Sequence, residues 1–149
     1  MTVERMGDRA PARDEERWPT VGETPAAYEL FHGGCWFLRH RHPNQAAMLL
    51  EHAKRLAPGK YSICEALGRA YFALGKHDLA AEEFAGIVAA VPVNDYAHYA
   101  LGRSLLHLDR HREALAHLRL AAAMAPANKT YQDALDGAAT GDQRPGSQH

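Results

Sequence analysis

The sequence has little cysteine, no long apolar run and no excess of charge of either sign. Its two cysteines, Cys35 and Cys64, lie inside helical periodicity and not at the spacing of a disulfide framework or a zinc site, so we expect a reducing compartment. No run approaches the roughly 18 apolar residues of a membrane span. The first residues are charged and form no apolar signal segment. The sequence therefore predicts a cytoplasmic protein that does not associate with membranes.

The charge balance excludes one class of function and leaves others open. With 17 basic and 18 acidic residues, the net charge is −1. Such a chain has no overall field to hold nucleic acid, so recognition must depend on local patches. Arg outnumbers Lys 13 to 4 and Ala occurs 28 times, a bias from which we expect a bacterial origin. The 46% of hydrophobic residues are enough to bury the core of one domain.

A repeat period, equal to the step from Gly34 to Gly68, organises most of the chain. Glycine, alanine and proline each recur three times at this step, as Gly34, Gly68 and Gly102, as Ala46, Ala80 and Ala114, and as Pro58, Pro92 and Pro126. Small residues at fixed positions leave little side chain between two helices, so the helices can approach closely. The period therefore predicts an array of helical hairpins.

The strongest motif lies between Tyr61 and Asn94. It consists of Cys64, Leu67, Gly68 and Tyr71, followed by Ala80, Phe84 and Pro92. This pattern resembles the tetratricopeptide repeat family, with Cys64 in place of the leading Trp. The resemblance implies an all-α fold, a right-handed α-solenoid of three helical hairpins with a capping helix. It also implies a non-enzymatic protein that binds an extended peptide or a partner helix in its concave groove.

Boundaries follow from the repeat and from turn residues. We predict a repeat domain over 24–139, with repeats at 27–60, 61–94 and 95–128 and a capping helix at 128–139. Within it we expect helices at 25–39, 44–56, 62–74, 78–90, 95–108 and 112–124, with Thr24 and Asn94 as N-caps. The flanking segments, 1–23 and 140–149, are predicted to be a disordered arm and a disordered tail.

One stripe of the first helix of each hairpin is predicted to face the groove, because it lies away from the positions that pack within the hairpin. The candidate peptide-binding residues on it are Tyr28, Phe31, Arg39, Glu65, Arg69, Phe72, Tyr96, Tyr99, Arg103 and His107. Arginine forks suit carboxylates and aromatic rings supply rigid contact area. The stripe therefore favours a partner with acidic and apolar residues. An alternative is that Glu65 and Arg69 are only an i,i+4 pair that stabilises their own helix.

The family contains a clamp-type subfamily that holds acidic C-terminal peptides of cytosolic chaperones, and the resemblance allows a direct comparison. The subfamily needs Lys, Asn and Arg at five positions on the first helices. This sequence has other residues there, namely Phe31, Cys35, Ala66, Tyr96 and Ala100. Capture of chaperone tails in that manner is therefore not expected.

The sequence carries no clear catalytic, cofactor or metal site. Cys35 and His32 are three positions apart on one helix, without an evident third group or oxyanion donors, so we predict no catalytic residue. Several of the ten histidines lie in or beside turns, and His107 with His111 spans a helix end, so we predict no metal site. No glycine-rich phosphate loop occurs, and no cofactor is expected.

The leading hypothesis is a protein-interaction scaffold or adaptor, and three alternatives stay open. The first is a homo-oligomerising structural module, since Trp36 stands where later repeats have Ala70 and Ser104 and should lie at the open N-terminal end of the array. The second is a small secretion-type chaperone. The third is RNA binding through Arg69 and Arg103, which Glu65 disfavours.

Overall fold

The computed structural model describes residues 25–142, and this part of the chain is helical apart from short connections. The helices are α1 (Pro25–Arg39), α2 (Pro43–Leu56), α3 (Tyr61–Ala73), α4 (His77–Ala90), α5 (Asp95–His107), α6 (His111–Met124) and α7 (Lys129–Asp142). No strand occurs among these residues. The all-α prediction is confirmed, and each predicted end of α1 to α6 agrees with the structure or differs by a single position. The predicted arm, the Thr24 cap and residues 143–149 of the predicted tail lie outside the described residues.

The chain divides into two compact units, one ending at Lys76 and the other beginning at His77. In the first unit, α2 packs against both α1 and α3. The core between them is made of small and aliphatic side chains that are fully buried: Ala27, Ala46, Leu50, Ala53 and Ile63. A polar link joins the same helices, because the Tyr71 hydroxyl donates a hydrogen bond of 3.0 Å to Glu51 Oε1.

In the second unit, α5 packs against α4 and α6, and α7 packs against α6. Phe84 of α4, Ala100 of α5 and Leu118 of α6 are fully buried at the centre. Buried alanines beside larger side chains allow the helices to pack closely in this core. The second unit therefore contains one complete hairpin, α5–α6, with a helix on either side.

The predicted role of the glycine column is confirmed at two of its three members. A Cβ added at Gly34 would lie 2.5 Å from Leu50 Cγ, and one added at Gly102 would lie 2.7 Å from Leu118 Cγ. Real Cβ atoms are not found at such distances, so only glycine permits these helix approaches. The pairs α1–α2 and α5–α6 thus pack in the same way, although they belong to the first and third repeats.

The turn inside each hairpin places one residue in the left-handed region. These residues are Arg41, Gly75 and Asp109, with φ of 64°, 76° and 58°. They recur at the repeat period, but only Gly75 adopts the conformation without a steric cost. The turn geometry is therefore the same in all three hairpins, although its most suitable residue is present only once.

Asparagine caps begin α5 and α7. Asn94 Oδ1 accepts a hydrogen bond of 3.0 Å from the Ala97 N–H, as predicted, and Asn128 Oδ1 accepts one of 3.1 Å from the Tyr131 N–H. The two caps are one repeat period apart, so α7 continues the register of the repeats. The helix extends to Asp142, beyond the predicted end of the capping helix at 139, because nothing in Thr140–Asp142 interrupts it.

Candidate functional site

The candidate residues of the first unit differ in how much surface they offer. On α1, the ring of Tyr28 is half-buried and meets the edge of His32 at 4.3 Å, while Phe31 is buried. On α3, both Glu65 and Phe72 are buried. Burial leaves these two side chains and Phe31 little area to offer a ligand.

Two candidate arginines lie in the first unit, Arg39 and Arg69. Arg39 is exposed at the end of α1 and Arg69 is half-buried on α3. Within residues 25–142 neither forms a hydrogen bond or an ion pair, so the alternative of a Glu65–Arg69 pair is not realised. A half-buried guanidinium with no carboxylate beside it loses part of its hydration without compensation.

In the second unit, the tyrosines of α5 are more buried than a ligand-contacting surface requires. Tyr96 is 4% exposed and Tyr99 is 2% exposed. Tyr96 meets the edge of Phe84 at 6.4 Å, and Tyr99 stacks on Tyr131 of α7 at 4.9 Å. Both rings thus belong to the core, and the sequence-based expectation that they supply contact area applies to few of their atoms.

Tyr99 positions the arginine of this unit. Its hydroxyl accepts a hydrogen bond of 3.0 Å from Arg103 Nη1, and the Arg103 Cζ atom lies 5.9 Å from the Tyr99 ring centroid. Tyr99 in turn stacks on Tyr131, so the hydroxyl that accepts from Arg103 belongs to a packed ring. Tyr131 was not among the predicted residues; its signal in the sequence was an aromatic residue early in the capping helix.

The exposed His107 contacts another histidine. Its ring stacks on that of His77 at 4.0 Å, with the two planes 8° apart. Parallel stacked rings do not direct their nitrogens at a common point, so the pair is not arranged to chelate a metal. Among residues 25–142, no group of three or more His, Cys, Asp or Glu residues is placed to hold a metal ion.

Two further histidines form a partly buried contact that sequence reasoning missed. His98 of α5 has Nε2 2.8 Å from the Pro92 carbonyl oxygen and Nδ1 2.9 Å from His117 Nδ1. A carbonyl can only accept, so His98 donates from Nε2, and one Nδ1 of the pair donates to the other. Burial first, and the neighbouring His98 second, lower the pKa of His117 below its ordinary value, while Glu113 opposes this shift.

Three further features concern the expectations about the cysteines, membrane association and Trp36. Cys35 and Cys64 are half-buried and form no disulfide. None of the helices in the described part of the chain is long and apolar enough to cross a membrane. Trp36 is 48% exposed, and the ring of His40 stacks on it at 3.8 Å.

Comparison with known proteins identifies the type of fold. Residues 65–129 match the family described as tetratricopeptide repeat. No curated protein sequence matches this chain. The structural comparisons below, together with this match, confirm the predicted tetratricopeptide-type solenoid fold.

Three solved structures illustrate the likeness. The first tetratricopeptide domain of Spaghetti (RPAP3), bound to the HSP90 peptide SRMEEVD, is 17% identical, with a TM-score of 0.76 over 84% of this chain and 100% of that one. The Sgt2 domain of Aspergillus fumigatus is 19% identical, with a TM-score of 0.73 over 83% of each chain. MamA (AMB-1) is 24% identical, with a TM-score of 0.68 over 76% of this chain and 62% of that one.

Proposed function

Because residues 65–129 match the tetratricopeptide repeat family and the fold is that of such repeats, we propose that this chain is a non-enzymatic scaffold or adaptor in the cytoplasm. Its ligand is an extended peptide or partner segment that carries carboxylates next to an apolar residue. The candidate residues for its carboxylates are Arg69 on α3 and Arg103 on α5. The proposed function involves no catalysis.

The observation that carries the proposal is the state of Arg69. It is half-buried and has no carboxylate partner within residues 25–142. Arg103 stands at the same repeat position, and Tyr99 holds its guanidinium. A preorganised fork loses little freedom when it binds a carboxylate, which favours bidentate contacts. The solved neighbour that holds SRMEEVD, a peptide with three acidic residues, is consistent with a ligand of this charge.

Peptide selection tests the proposal directly. Random peptides displayed on phage are selected on the wild-type chain and on the Arg69→Ala/Arg103→Ala double variant. The proposal predicts that wild type enriches Asp and Glu beside an apolar residue and that the double variant loses this enrichment. The matched control is Arg112→Ala/Arg119→Ala, which removes two exposed arginines of α6. Equal enrichment of acidic peptides by all three chains contradicts the proposal.

A second candidate function rests on Trp36. An indole that is 48% exposed, on the same helix as Gly33, is a surface that a second copy of the chain can cover. Self-association through this end predicts sedimentation that depends on concentration and a monomer in Trp36→Gln. A wild-type chain that stays monomeric up to about 100 µM argues against it.

A further inference from the structure

The second unit contains a pocket that the peptide-binding proposal does not yet use. It has a volume of about 330 Å³ and opens between α5 and α7. Leu106 forms one wall, and Ala134, Gly137, Ala138 and Gly141 of α7 form the floor. A volume at the lower end of the range of about 300–1,000 Å³ found for ligand pockets suits one side chain better than a whole ligand.

The pocket exists because α7 repeats α5 with its long side chains removed. The Asn94 and Asn128 caps place the two helices in the same repeat register. In that register, Gly137 stands at the position of Arg103 and Gly141 at that of His107. His77 at the start of α4 stacks on the His107 ring, whereas His111 at the start of α6 lines the pocket together with Gly141. The missing side chains leave the volume open.

The charged groups at the pocket differ in how firmly they are held. Arg103 is half-buried and donates to the buried hydroxyl of Tyr99. Asp133 also lines the pocket, but it is largely exposed and its carboxylate lies 3.2 Å from Lys129 Nζ. Solvent screens an exposed carboxylate more than it screens a partly buried guanidinium. The pocket therefore favours an anion over a cation at its edge.

We infer that this pocket is the anchor site for an apolar side chain of the ligand, next to a carboxylate that Arg103 binds. The inference rests on the proposed function and assigns the apolar part of the ligand to α5 and α7. An aromatic or long aliphatic side chain would occupy the space that Gly137 and Gly141 leave open. Its acidic neighbour would meet the guanidinium fork, which has five donors in one plane.

A small probe tests the pocket without knowledge of the natural ligand. The full chain, labelled with nitrogen-15, is titrated with 3-phenylpropionate, which joins one ring to one carboxylate. We expect millimolar binding, which is about what a probe of this size can reach, with shifts centred on the amides of Leu106, Gly137 and Gly141. The neutral 3-phenylpropanamide and the cationic 3-phenylpropylamine should bind about tenfold more weakly. Stronger binding of the amine would make Asp133 the polar partner and overturn the inference.

Filling the pocket supplies the matched variants. An added Cβ at Gly137 or Gly141 meets no other residue of 25–142 within 4 Å, so Gly137→Leu and Gly141→Leu are expected to fold. Gly86→Leu is the control, because its added Cβ is equally unobstructed and it lies on α4 outside the pocket. The two pocket variants should weaken the binding of 3-phenylpropionate about tenfold or more, and the control should not.

The outcomes separate this inference from the proposed function. If 3-phenylpropionate binds Gly137→Leu as well as wild type, or shifts no amide of the pocket, the anchor assignment is wrong. Loss of acidic enrichment in the Arg69→Ala/Arg103→Ala selection would still support the proposed function. Conversely, if the probe binds at the pocket but peptide selection shows no preference for acidic residues, the anchor site is supported and the peptide-binding proposal is contradicted.

Discussion

His98 Nδ1 lies 2.9 Å from His117 Nδ1, and this contact joins α5 to α6 inside the second unit. His98 Nε2 donates to the Pro92 carbonyl oxygen, so one of the two Nδ1 atoms must donate to the other. The pocket that His117 lines also has Asp78, Glu82, Arg110 and Glu113 on its walls, and Arg110 and Glu113 are paired with each other at 2.7 Å. Stability should therefore depend on the protonation of His117.

The pH dependence has a definite sign. The pKa of His117 is lowered from its ordinary value of 6.5, so between 6.5 and the folded-state pKa the unfolded chain binds a proton that the folded chain does not. Stability contributed by His117 is fully present above 6.5 and is lost as the pH falls from 6.5 through the lower folded-state pKa. His117→Gln keeps a donor for His98 but does not titrate, so its urea midpoint should fall less over this window. The exposed His52→Gln is the control, and an identical pH profile for His117→Gln and wild type would refute the account.

The glycine approach at Gly102 makes a prediction about helix packing. Gly102→Ala would bring Cβ to 2.7 Å from Leu118 Cγ and 3.2 Å from the Ala114 carbonyl oxygen, and the latter cannot move aside. We expect a loss of about 1–3 kcal/mol in the free energy of unfolding. Gly86→Ala, with open space around the new atom, should gain about 0.5–1 kcal/mol. Denaturant titration measures both, and two changes of the same sign would contradict this packing.

The hairpin turns predict opposite effects at equivalent positions. Arg41 has φ of 64° and Gly75 has φ of 76°. Arg41→Gly should relieve the steric strain of a side chain in the left-handed region and stabilise the chain by about 1 kcal/mol. Gly75→Ala should introduce the same strain and destabilise the chain by about as much. Thermal unfolding compares the melting temperatures of the two variants with that of wild type. A lower melting temperature for Arg41→Gly would mean that its side chain contributes more than the backbone costs.

The stack of Tyr131 on Tyr99 predicts that the capping helix stabilises the second unit. Tyr131 is buried, and Tyr131→Ala removes both its packing and its contact with Tyr99. The loss should be about 3 kcal/mol, near the lower end for a large aromatic residue replaced by alanine. Tyr61→Ala, which truncates an exposed ring, should cost much less. Similar losses for the two variants would show that α7 is not needed as a cap.

The sequence predicted the helices well because the repeat period constrains three copies at once. Asn94 and Gly102 could be assigned their roles from position alone, since a cap and a close helix approach depend on local geometry. Burial of Tyr96 and Tyr99 could not be predicted in the same way. A stripe calculated for an isolated helix takes no account of neighbouring rings, and Phe84 and Tyr131 cover these two tyrosines. The pocket at Gly137 was missed for a related reason, because it arises from side chains that α7 lacks.

The most direct test of the central claim is the affinity of one selected acidic peptide for wild type and the arginine variants. Fluorescence anisotropy with a labelled peptide should give a Kd near 1 µM for wild type, about −8 kcal/mol. Arg103→Ala alone should weaken binding by about 1–2 kcal/mol, and the Arg69→Ala/Arg103→Ala variant should weaken it further, while Arg112→Ala/Arg119→Ala stays near wild type. An unchanged Kd in the Arg69/Arg103 double variant, with its fold intact, would contradict the account.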